Sequence, residues 1–79
     1  RGGFAGFDIH DRVNFAVREA STTIDDAHEN VTLTMTIDTQ YCSVMDYFEI
    51  FLKRMLLCRK AAEKLGLKFR LTINGQTLL

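Results

Sequence analysis

The stretch SVMDYFEIFLKRMLLCRKAAEKLG, residues 43–66, decides how the rest of the chain is read. It has no Pro, its one Gly is its last residue, and it is rich in Leu, Met, Ala, Lys and Glu. Such a run predicts one helix of about six turns. Val44, Phe48, Phe51, Met55, Cys58, Ala62 and Leu65 recur at steps of four and three. That spacing draws a single apolar stripe, the expected core face. Asp46, Glu49, Lys53, Lys60, Glu63 and Lys64 fall opposite it. Ser43, with Asp46 three residues on, is the expected N-cap, and Gly66 the left-handed residue that ends the helix.

The apolar side chains overrun the stripe. At 100° per residue, Met45, Leu52 and Leu56 make a ledge on one flank, and Ile50, Leu57 and Ala61 one on the other. A helix lying on one sheet needs one apolar face. The surplus has two explanations: loops and strand edges cover it, or it meets another protein. The remaining chain is short, which favours the second. Ile50, Leu52, Leu56, Leu57 and Met45 are therefore the candidate interface.

Upstream, VTLTMTID at 31–38 alternates apolar and polar residues and predicts a strand. Its row of Val31, Leu33, Met35 and Ile37 is the natural floor for the helix, and its threonines read as a solvent-facing row. Downstream, Leu67, Phe69, Leu71 and Ile73 alternate with Lys68, Arg70, Thr72 and Asn74, predicting a strand parallel to the first across the helical connection. Asn74-Gly75 is a hairpin signal, with a short strand at 76–79 beyond it.

The N-terminal third reads two ways. Phe7, Ile9, Val13, Phe15 and Val17 suit strand alternation. Ile9, Val13, Ala16, Val17, Ala20 and Ile24 suit a helical face, with Asp8 as its cap. The β-branched and aromatic content tips 7–19 towards strand. ASTTIDDAHEN, residues 20–30, reads as a loop or one helical turn. Residues 1–6, RGGFAG, read as a flexible N-terminal segment before a single domain at 7–79. The expected fold class is α+β: a three- to four-stranded, mainly antiparallel sheet in the order β-β-α-β, with a possible final strand and one long helix on one face.

Seventy-nine residues support one modest core, for which oligomerisation is a common supplement. An apolar content of 47%, with six Phe and two Tyr, points to a folded chain. Net charge is zero but unevenly laid out. Residues 1–50 carry three basic against nine acidic side chains, a balance of −6, and residues 51–79 carry seven against one, +6. The charge asymmetry suits self-association or an acidic partner.

Two cysteines make no disulfide framework and fit a cytoplasmic setting. Cys58, on the stripe, is expected buried; Cys42 sits just before the helix, where a thiol gains reactivity, but no His or second thiol is close in sequence to activate it. Phosphate-binding loops, dinucleotide fingerprints, nucleophile elbows and zinc spacings are absent from the sequence. Asp8, His10 and Asp11, and likewise Asp25, Asp26, His28 and Glu29, gather groups able to hold a divalent ion or move a proton, but both lie in segments where solvated charge is the ordinary explanation. No metal, cofactor or enzymatic activity is expected. The sequence points instead to a non-enzymatic protein-binding module: a homodimer, or an adaptor or inhibitor docking on a larger protein. The alternative is nucleic-acid binding through Lys53, Lys60, Lys64, Lys68 and Arg70.

Overall fold

A computed structural model describes residues 8–79. Its elements are α1 (Ile9–Ala16), β1 (Val17–Ile24), β2 (Asn30–Ile37), α2 (Val44–Lys64), β3 (Lys68–Ile73) and β4 (Gln76–Thr77). The sheet is mixed, in the order β1-β2-β3-β4. β1 runs antiparallel to β2, β3 parallel to β2, and β4 antiparallel to β3. The chain is a small α+β domain with one long helix set against the sheet, as the sequence implies. The segment read at 1–6, and Phe7, lie outside the described residues.

The caps of α2 form as expected. Ser43 Oγ accepts the Asp46 N–H at 3.0 Å. At the other end Gly66 has φ +78°, Gly66 N donates to the Glu63 carbonyl at 3.0 Å, and Leu67 N to the Ala62 carbonyl at 2.9 Å. These two bonds close a Schellman motif, satisfying carbonyls the helix leaves open. Asn74 and Gly75 both take positive φ, +51° and +81°, as a two-residue hairpin between β3 and β4 requires.

The N-terminal third departs from the expected strand. Residues 9–16 are helical and the strand begins at Val17. The cap decides it: Asp8 accepts the Asp11 N–H at 3.0 Å, and the three-residue step from Val13 to Ala16 buries both on one helical face. Phe15, off that face, stands exposed. The expected loop at 20–30 is also corrected, because residues 20–24 pair with β2 along its length. β1 from Arg18 onward is exposed on both faces, so it carries no hydrophobic alternation to betray a strand.

Val13, Ala16, Met35, Ile37, Cys42, Tyr47, Met55, Leu71 and Ile73 form the core. The faces of β2 and β3 divide as their alternation implies. Met35, Ile37, Leu71 and Ile73 are buried, and Thr34, Thr36, Lys68 and Arg70 are exposed. The helical stripe is buried only in part. Met55 and Ala62 are enclosed and Val44, Phe48 and Phe51 half-buried, whereas Cys58 is exposed and Leu65 is 77% exposed. Tyr47 takes their place in the core, its ring 4.8 Å from that of Phe51. Cys58 and Leu65 still face the sheet, but across a groove they line with Ile24, Val31 and Phe69 and that no side chain of the described residues fills.

Asp25 closes the β1–β2 turn. Its carboxylate accepts the Glu29 N–H at 2.8 Å, the Asn30 N–H at 3.0 Å and the Asn30 amide at 2.8 Å. The Asn30 side chain, then the two backbone donors, hold its pKa below the ordinary 3.8. A carboxyl depressed on folding lends stability above its unfolded pKa and loses it as pH falls through the folded one. Stability is therefore expected to fall as pH drops below 3.8, and Asp25→Asn to flatten that acid limb, read as melting temperature against pH.

Candidate functional site

The proposed interface residues do not share one environment. Ile50 is packed against the core and Leu52 is half-buried. Leu56 and Leu57 are 37% and 67% exposed and line one shallow concavity of about 450 Å³. Its remaining wall is Lys53, Arg59, Lys60 and Glu63. Arg59 and Glu63 approach to 4.0 Å across one helical turn. Met45, also exposed, stands near the start of α2, away from this patch. An apolar centre with a charged rim is the general anatomy of a protein interface.

A second apolar surface lies between α2 and the sheet. A cavity of about 340 Å³ is walled by Cys58, Ala61 and Leu65 from the helix side and by Ile24, Val31 and Phe69 from the sheet. Another, of about 270 Å³, continues along the same flank past Ala20, Leu33, Phe51 and Arg54. Leu33 and Cys58 border both. Sequence reasoning missed this groove, because it assigned Cys58 and Leu65 to the core and residues 20–24 to a loop.

The cations are divided. Lys53 and Lys60 rim the Leu56–Leu57 patch. Lys68 sits at the start of β3, in a concavity with Arg59 and Glu63. Arg70 pairs in register with Thr32, in the row opposite Phe69 and Leu71. Lys64 is exposed on the last turn of α2. The five candidates thus do not form one row.

The titratable clusters have structural employment. Asp8 caps α1, which lowers its pKa through the Asp11 N–H. Asp25 closes its turn through the three bonds given above, and His28 Nδ1 lies 3.1 Å from the Asp26 carbonyl oxygen, a bond donated by the Nδ1–H tautomer. Among the described residues no group of three or more His, Cys, Asp or Glu is arranged to hold a metal ion. Cys42 is buried, and burial first, then the Asp46 charge, pushes its thiol above the ordinary 9.0. Both work against the thiolate, the nucleophilic form. Among the described residues no helix is long and apolar enough to cross a membrane. No family model, curated protein or solved structure matches the chain.

Proposed function

We propose that the chain is a non-enzymatic protein-binding module whose contact surface is the outer face of α2 around Leu56 and Leu57. The observation that carries this reading is the exposure of two leucines, side by side, within a rim of Lys53, Arg59, Lys60 and Glu63. Burying a leucine is worth about 1.5–3 kcal/mol, a gain that folding leaves two-thirds unused at Leu57 and about a third unused at Leu56. The cationic rim suits a partner with an apolar patch and acidic margins. Ile50 packs against the core and Leu52 is half-buried, so both flank the patch; Met45 is a separate exposed position at the start of α2. A homodimer, an adaptor and an inhibitor could each use such a surface, and a cytoplasmic setting agrees with two unpaired cysteines. Nucleic-acid binding through Lys53, Lys60, Lys64, Lys68 and Arg70 is the weaker reading, because Arg70 stands on the sheet face turned from α2.

A photo-crosslinking residue at Leu57, with one at Thr36 as control, tests the proposal in native extract. A discrete adduct with the Leu57 probe and none with the Thr36 probe is expected. Equal labelling from both positions, or no adduct from either, would overturn it.

A further inference from the structure

The edges of the sheet are unequal. β4 is two residues long, and beyond it Leu78 N donates to the Leu71 carbonyl at 2.8 Å, which shortens any free edge there. β1 is eight residues long and, among the described residues, pairs on one side only, with β2. Which of its groups are free follows from one bond. Asp25 N donates to the Asn30 carbonyl at 3.1 Å, so that pair is a hydrogen-bonded one. Bonded and non-bonded pairs alternate along an antiparallel ladder. The register then gives Thr23–Thr32, Ser21–Thr34 and Glu19–Thr36 as the bonded pairs. Ala20, Thr22 and Ile24 turn their N–H and C=O groups to the open side.

This open row is symmetric about Thr22. A second β1 laid antiparallel with Thr22 opposite Thr22 pairs Ala20 with Ile24 and Ile24 with Ala20. Every outward donor then meets an acceptor. The five residues 20–24, ASTTI, carry no charge, Pro or Lys, the devices that normally keep an edge from pairing. Ile24 is 52% exposed, on the sheet face that lines the α2 groove, and this pairing seats it against Ala20 of the second copy. Charge does not drive the seam: Arg18 is held within its own copy by Asp38 at 3.1 Å and by the Phe15 carbonyl at 2.7 Å, and the Asp25 carboxylate is held by three N–H donors.

We infer that the chain forms a two-fold dimer through antiparallel pairing of β1 edges, giving one continuous eight-stranded sheet with both α2 helices on the same face. The inference goes beyond the protein-binding reading: it assigns self-association to the β1 edge, a surface separate from the Leu56–Leu57 patch, which is left to a different partner.

Sedimentation equilibrium of the full chain over a wide concentration range is the test, with Thr22→Pro and Ile24→Lys alongside. The native mass is expected to climb from 9.0 kDa to twice that value. Thr22→Pro removes an N–H that points away from β2, so the internal ladder stays whole. It is expected to weaken dimerisation by about tenfold or more with helical circular dichroism retained. Should Thr22→Pro not fold, Ile24→Lys decides, since it keeps every backbone group and places cations at the seam. A Thr22→Cys, Cys58→Ser chain is expected to form a covalent dimer on mild oxidation, opposed Cα atoms in a bonded pair lying about 5.5 Å apart. A native chain that remains monomeric throughout overturns this inference and leaves the Leu57 crosslinking result to stand or fall alone. A dimer that survives both edge variants also overturns it, by locating the contact elsewhere.

Discussion

Leu71→Ala is expected to lower the melting temperature by roughly 10–30 °C, far more than truncation of any exposed side chain. Leu71 is 0% exposed and sits on β3, the strand that α2 lies against. Its backbone is bonded by the tail on the far side: Leu78 N donates to its carbonyl at 2.8 Å and Leu71 N to the Leu79 carbonyl at 3.4 Å. With ladders on both sides, the site has little freedom to collapse around a smaller side chain. A leucine truncated at such a position costs about 2–5 kcal/mol, most where the cavity stays open. A domain of this size has about 4–12 kcal/mol in all. Differential scanning calorimetry checks the result. A loss under a few degrees would mean that β3 is not the centre of the core.

Asn74→Ala is expected to cost about 2–4 kcal/mol, through two mechanisms that can be separated. Asn74 Oδ1 accepts the Ile37 N–H at 2.9 Å, and Asn74 Nδ2 donates to the Ile37 carbonyl at 3.1 Å. Its own N–H reaches the Met35 carbonyl at 2.9 Å. One side chain thus extends the parallel β2–β3 ladder beyond Ile73, tying the end of β2 to the β3–β4 turn. The residue also holds φ +51°, where alanine is strained and asparagine is tolerated. Asn74→Gly removes the side-chain bonds but keeps the left-handed backbone. It is expected to lose about 1–3 kcal/mol, and its difference from Asn74→Ala measures the conformational part. Equal losses in the two variants would leave the backbone with no share.

Much of this architecture is legible in the residues. Ser43 and Gly66 bracket α2 because a hydroxyl acceptor and an achiral residue answer needs set by the backbone alone. Asn74-Gly75 turns for the same kind of reason, and the alternation of Leu33, Met35 and Ile37 survives because a sheet face is buried along that row. The misses share a cause. Residues 9–16 hold patterns for helix and strand together, and a single cap, Asp8 to Asp11 N, tips the balance. Residues 20–24 form a strand whose faces are both exposed, so no hydrophobic period is written into them. Cys58 and Leu65 keep the helical spacing of a core face and do face the sheet, yet spacing along a helix says nothing of whether the space between is filled. The apolar surplus on α2 is visible in the sequence. Its division into a supported part, Ile50 and Leu52, and an exposed part, Leu56 and Leu57, needs the fold. So does the open edge of β1.

Folding leaves most of Leu57 and over a third of Leu56 exposed, and on that rests their availability to a partner. Urea denaturation of the Leu56→Ser/Leu57→Ser chain at high dilution, beside the native chain and Leu71→Ala, tests this most directly. The double variant is expected to stay within about 1 kcal/mol of the native chain, as exposed positions do, while Leu71→Ala falls well below both. A loss in the double variant as large as that of Leu71→Ala would make the two leucines part of the core and contradict a binding role for this face.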